Sequence, residues 1–130
     1  MIPLYLITAT IFLVVDAIVL SMVMKPLFQR HIGHIMRDSP ALAPAGIFYL
    51  FYVAGLVWLI SWPASQAGAP GEALVRGMVV GAMAYGTYEF TSWSVMKDWH
   101  WSMAVTDTAW GTILTGGSAW AGVVILGAFS

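Results

Sequence analysis

Ile2–Val23 reads IPLYLITATIFLVVDAIVLSMV, an apolar run interrupted by one charged residue, Asp16. A helix rising 1.5 Å per residue crosses the hydrocarbon core of a bilayer with about 20 such residues, so this stretch is long enough to span one. Three further stretches repeat the pattern: about Leu42 to Trp62, Ala73 to Met96 and Ser102 to Phe129. Pro40 and Pro44 stand where the second helix starts, a position at which proline forfeits no hydrogen bond. Pro63 is expected to end that helix, and Pro70-Gly71 precedes the third. The alternation of an outer-membrane barrel strand is absent. These spans make an all-α membrane protein, four transmembrane helices in an antiparallel bundle, with residues 1–130 as a single domain.

Composition agrees. Of 130 residues, 60% are hydrophobic and 8% charged, against roughly one quarter charged in an ordinary soluble domain. That leaves too little polar surface for a water-exposed globule and too much apolar surface for a disordered chain. A formal net charge of -1 gives nucleic acid nothing to bind. Without cysteine there is neither disulfide nor thiolate chemistry. The first span has no basic stretch ahead of it and outruns the apolar region of a secretory signal. Ala41-Leu42-Ala43 lies too far downstream to be its cleavage site, so a lasting span is expected.

Lys25, Arg30 and Arg37 follow the first span and Lys97 follows the third, whereas the opposite side offers only Arg76. The positive-inside rule then sets those loops in the cytoplasm and both termini on the periplasmic side of a bacterial inner membrane. Trp58, Trp62, Trp93, Trp99 and Trp101 lie near helix ends, where indole rings favour the headgroup level; Trp62, Trp99 and Trp101 read most simply as interfacial anchors.

Asp16, Glu89 and Asp107 each fall inside a span. One acid at the centre of a membrane helix costs roughly 2.5–3.5 kcal/mol on an insertion scale. Counted from Lys25, Lys97 and Trp101, all three lie roughly 9–14 Å below the cytoplasmic interface, on helices one, three and four. No lysine or arginine accompanies them at that depth. Neutral donors do: Tyr85, Ser92 and Trp93 recur with Glu89 at helical spacing, and Trp110 follows Asp107 at i+3. The expected site is a polar, aromatic-lined pocket of Asp16, Glu89, Asp107, Tyr85, Trp93 and Trp110. It retains at least one proton and binds or transports a cation, a proton, or a polar small molecule or headgroup. Interhelical glue is the plainer role, but neutral serine or threonine serves that end at less cost.

Lys25 to Asp38 reads as a short amphipathic helix lying on the cytoplasmic face between helices one and two, with Phe28, Ile32, Ile35 and Met36 on its apolar side. Lys25, Arg30, His34 and Arg37 are its candidate contacts to anionic lipid headgroups. His31, His34 and His100 share one membrane side and are weak candidates for a metal, since no repeated histidine pattern accompanies them. Serine-nucleophile, phosphate-loop and dinucleotide signatures are absent, and no cofactor is implied. Gly77 and Gly81 form a Gly-x-x-x-Gly pair, and Gly111, Thr115 and Ala119 make a small-residue stripe; both suit close helix approach, within one chain or between subunits.

The acid of the first span, Arg30-His31-Ile32-Gly33-His34 and Phe48-Tyr49-Leu50-Phe51-Tyr52 are accompanied by two more specific strings, Tyr85-Gly86-Thr87-Tyr88-Glu89-Phe90-Thr91 and Asp107-Thr108-Ala109-Trp110-Gly111-Thr112. On these residues the chain resembles, over almost its full length, a family of small bacterial membrane proteins known only as domain-of-unknown-function family twenty-one seventy-seven. The resemblance implies a four-helix inner-membrane protein and no particular activity.

Three functional classes follow from the residues. The first is a binder or transporter built on the three carboxyls; as a homo-oligomer it would have eight helices to enclose a path that four do not easily enclose. The second is an accessory subunit of a larger membrane complex. The third is a lipid-modifying enzyme with Glu89 or Asp107 as general acid/base. In each, the lipid bilayer is the standing partner.

Overall fold

The computed structural model describes residues 1–36 and 42–129. Helix α1 (Ile2–Val19) runs through a π-helical turn, Leu20–Met24, into α2 (Lys25–Ile32) and ends in a 3₁₀ turn, Gly33–Ile35. Next come α3 (Leu42–Leu56), a second π-helical turn, Val57–Ser61, and α4 (Trp62–Ala67). Two long helices follow, α5 (Pro70–Val95) and α6 (Trp101–Ala128). No strand occurs among the described residues.

The two π turns have a common cause. Each ends two residues before a proline, Met24 before Pro26 and Ser61 before Pro63. Inside an α-helix a proline ring collides with the carbonyl four residues back and supplies no N–H. The wider i→i+5 turn ahead of it makes room, so the helix continues. Two sequence expectations are corrected by this. Pro63 does not end the second span, which runs to Ala67. Gly68 ends it instead, in the left-handed region at φ 66, with its N–H and that of Ala69 bonded back to the carbonyls of Ser65 and Ala64. Nor is Lys25–Ile32 a separate helix lying apart: it prolongs the first span. Its apolar residues Leu27, Phe28 and Ile32, with Met36, pack on Trp99 and Met103 at the α5–α6 turn. Arg37, Asp38 and Pro40 lie outside the described residues.

Three continuous helices are long and apolar enough to cross a membrane: Ile2–Ile35, Ala43–Ala67 and Trp101–Ala128. The fourth expected span, α5, has the length at 26 residues but a more polar composition, with Glu72, Arg76 and Glu89. Large apolar side chains cover the outside, among them Ile2, Met22, Phe51, Trp58, Met83 and Ile113. In water that surface would aggregate; against lipid tails it is the matched one.

α5 and α6 approach each other closely. Residues ascending α5 meet residues descending α6: Gly77 faces Gly116, and Gly81 faces Gly111. A Cβ on Gly77 would stand 2.8 Å from the Gly116 Cα, and one on Gly81 would strike the Gly111 carbonyl oxygen. α6 runs unbroken through Gly116-Gly117, and Gly116 lies against the α5 backbone at Leu74 and Met78. Lipid offers no hydrophobic drive to bring helices together, so this contact depends on van der Waals packing of bare backbone. Around it Phe12 packs on Tyr49 and Tyr52 at 5.7 Å from each ring, Tyr5 donates to the Leu50 carbonyl at 3.1 Å, and Tyr52 and Thr115 share a 3.0 Å hydrogen bond.

Adding one methyl at the seam forces the helices apart. Gly81→Ala is expected to lower stability by roughly 1–3 kcal/mol, the usual overpacking cost. Gly117→Ala, where a Cβ meets nothing within 4 Å, should leave it unchanged. Unfolding in detergent micelles by titration with sodium dodecyl sulfate measures both, and equal midpoints would refute the seam.

Candidate functional site

The glycine seam sets the register of everything below it on α5 and α6. One turn beyond Gly81 the Tyr85 ring lies directly on Gly111, in the space a Cβ would fill. One turn further, Glu89 is fully buried and comes opposite Asp107, close enough for the two carboxyl groups to interact directly. Asp16, 3% exposed on α1, lies within electrostatic reach of Asp107, with the Tyr49 phenol beside it. Three helices thus deliver the three acids to one layer, with Asp107 in reach of both others.

Each flanking acid is held by an indole. Trp99 Nε1 donates to Glu89 Oε1 at 3.0 Å, and Trp110 Nε1 donates to Asp16 Oδ1 at 3.1 Å. Glu89 Oε2 is buried and receives no hydrogen bond; the Tyr85 hydroxyl and Thr108 Oγ1 are likewise buried without a partner. Two carboxylates offer only acceptors to each other, so they meet directly only through a shared proton, or through a cation or a donor such as water between them. Among the described residues, no three His, Asp or Glu side chains are grouped to hold a metal ion. Two cavities open on the apolar surface. One of about 290 Å³ is lined by Met1, Ile2, Tyr5, Ala54 and Val57, and one of about 170 Å³ by Phe48, Phe51, Leu59 and neighbours; no carboxyl lines either. Glu89 and Asp16 are buried and Asp107 is half-buried.

Trp99 is the residue that sequence reasoning misplaced. It is 6% exposed rather than an interfacial anchor, pinned edge-on by Phe28 of α2 at 5.4 Å and by Tyr88 at 5.8 Å. α2 therefore closes over the indole that holds Glu89. Side-chain contacts tie this clasp to the α5–α6 turn and the start of α6. His34 Nε2 pairs with Asp98 Oδ2 at 2.8 Å, and the His31 ring stacks on His100 at 4.2 Å with planes 7° apart. His100 Nδ1 caps α6, accepting from the Ser102 N–H at 3.1 Å. Ser102 Oγ lies 2.7 Å from His100 Nδ1 and 3.4 Å from His31 Nε2, and His34 is turned to Asp98, so among the described residues the three histidines are not grouped around a metal position.

A family model described as a predicted membrane protein (DUF2177) matches residues 1–124. The chain belongs to this family. No curated protein and no solved structure matches it.

For this DUF2177 chain, the structure brings together five of the six residues expected at the site: Asp16, Glu89, Asp107, Tyr85 and Trp110. Trp93 is 42% exposed and packs on Phe90. Eight residues advance a helix by 800°, so Trp93 has rotated about 80° from Tyr85 and out of the buried arc. Of the expected headgroup contacts, Lys25 and Arg30 are exposed and His34 is engaged with Asp98. Trp99 and Tyr49 carried no signal of their own. The first folds back from beyond the end of α5, and the second belongs to a helix without an acid.

Removing the indole of Trp99 leaves Glu89 with no donor. Trp99→Phe is therefore expected to cost roughly 1–3 kcal/mol, the penalty of a buried polar group stripped of its partner. Trp101→Phe, at a 57% exposed position, should cost little. The same detergent unfolding assay separates the two, and equal losses would make Trp99 an ordinary packing residue.

Proposed function

We propose that Glu89 and Asp107 hold a proton between them inside the membrane, with Asp16 as the third carboxyl of the layer, and that binding and releasing this proton is the work of the protein. The observation that carries the proposal is Glu89 itself: fully buried, one oxygen held by Trp99, the other without a donor, and the side chain in reach of Asp107. The full burial of Glu89 favours the smallest cation. Pure helix glue has little to recommend it, because an acid left with an unsatisfied oxygen is a poor adhesive.

In this reading the chain is an antiparallel four-helix bundle of a bacterial inner membrane, α5 being the fourth span. Both termini are periplasmic and the clasp is on the cytoplasmic side, as the distribution of Lys25, Arg30 and Lys97 against Arg76 favours. Lys25 and Arg30, exposed on α2, meet anionic headgroups there.

A hydrophobic carbodiimide tests the acid pair, because it adds only to a protonated carboxyl in an apolar setting and leaves a stable N-acylurea. In detergent, dicyclohexylcarbodiimide should add to Glu89 or Asp107, faster as the pH is lowered, and the adduct should vanish in the double variant Glu89→Gln/Asp107→Asn. Peptide mass mapping locates it. Labelling of Glu72 alone, or a rate indifferent to pH, would overturn the proposal.

A further inference from the structure

Beyond the acid layer, hydroxyl groups continue through the interior. Descending α6 from Asp107, the buried polar side chains are Thr115 and Ser118, followed by Gly122, whose missing side chain leaves room for the Thr8 hydroxyl of α1. At 1.5 Å per residue, Thr115 lies roughly 12 Å and Ser118 roughly 16 Å beyond Asp107 along the helix. Tyr52 bridges to Thr115 at 3.0 Å, and the Tyr85 ring stands edge-on to Tyr52 at 6.5 Å, within electrostatic reach of Asp16 and Asp107. Ser61, on the π turn of the second span, is fully buried further from the acids.

Three of these hydroxyls share one property. Tyr85 Oη, Thr8 Oγ1 and Ser61 Oγ are buried and have no hydrogen-bond partner. An orphaned hydroxyl in a bilayer costs free energy that alanine or valine would spare. Single glue contacts do not explain orphans on three different helices. Groups that await waters do, since a buried water takes two to four polar partners. On the α1 side the Phe12 ring stands between Tyr49 and Tyr52, so the line of hydroxyls runs along α6.

Building on the acid-pair reading above, we propose that Tyr85, Tyr52, Thr115, Ser118, Thr8 and Ser61, together with waters, form a file that conducts protons between the Glu89–Asp107 pair and the far side of the membrane. Each hop is balanced. A carboxyl or water O–H bond breaks as the neighbouring oxygen forms a new one, the hydroxyl passes on its own proton, and rotation of the O–H groups resets the file. No electron moves, and the membrane potential or a pH difference supplies the drive. A hydroxyl serves because it is donor and acceptor at once, which a methyl of equal size is not.

The purified full chain in liposomes loaded with pyranine tests this. With potassium outside low, potassium inside high and valinomycin added, the negative interior draws protons in. The expected result is acidification at least tenfold faster than in protein-free liposomes. Thr115→Val should reduce the rate severalfold, Thr115→Ser should restore it, and Thr10→Val, at an exposed position bonded only to its own helix, should leave it unchanged. Carbodiimide labelling of the same preparations separates the two proposals. Wild-type liposomes that label at Glu89 or Asp107 yet leak no faster than empty ones overturn the file and leave the acid pair standing. Thr115→Val with intact labelling and undiminished flux does the same. Should Thr115→Val fail to fold, Ser118→Ala carries the test with the same expected severalfold loss, and an undiminished rate there overturns the file.

Discussion

The structure depends on bare backbone meeting bare backbone where α5 crosses α6. Gly81 against the Gly111 carbonyl, and Gly77 against Gly116, fix both the distance and the register of the two helices. Everything chemically interesting is counted from that contact. Tyr85 lies on Gly111 because it is one turn from Gly81; Glu89 meets Asp107 because it is two turns away. Had either seam position carried a side chain, the helices would stand further apart. Tyr85 would then lose its seat, and the carboxyls would face lipid or water rather than each other. In a soluble protein, expulsion of water could make good a looser seam; in a membrane, contact is what holds helices together.

The π turns do complementary work on the other two rods. By absorbing Pro26 and Pro63 without breaking the helix, they let two spans run on past the point where the sequence suggests a stop. For the first rod the consequence reaches the site, since α2 is carried as a prolongation of α1 onto Trp99. A free amphipathic helix floating on the headgroups would have left that indole exposed and Glu89 open to water from the loop side. Ser61, buried and without a hydrogen-bond partner, sits at the end of the second π turn.

Much of this was legible in the residues, and what was not has physical reasons. Length and apolarity located three of the four expected spans, because the bilayer's thickness imposes a length that the sequence must meet; α5 has the length but a more polar composition. The three acids stood out because nothing else in the spans is charged at their depth. The small-residue stripe of Gly111, Thr115 and Ala119 was visible at helical spacing and faces Gly77 and Gly81. Pro63 misled because proline's effect depends on whether the turn before it widens, a property of packing rather than of the proline. Trp99 misled for a different reason. Its nearness to Glu89 arises from chain reversal between α5 and α6, and an indole near a helix end reads equally as an anchor or as a donor turned inward. Trp93 misled because it keeps i+4 spacing with Glu89 yet lies eight residues, about 80° of rotation, from Tyr85.

The choice of partners for the acids bears on what they are for. A lysine or arginine beside a buried carboxyl fixes it as a carboxylate, because separating the pair again is costly in low dielectric. Here the partners are neutral: two indole N–H groups, which donate one hydrogen bond each and do not themselves titrate, and the Tyr49 phenol beside Asp16. An indole satisfies one carboxyl oxygen whether the acid is protonated or not, so Glu89 and Asp16 are positioned without having their charge decided. That is a poor arrangement for a permanent ion pair and a poor one for glue. It is consistent with the proposal that the proton of the layer comes and goes, and in that proposal Asp107, which reaches both other acids and has no indole of its own, is the carboxyl through which the layer would exchange.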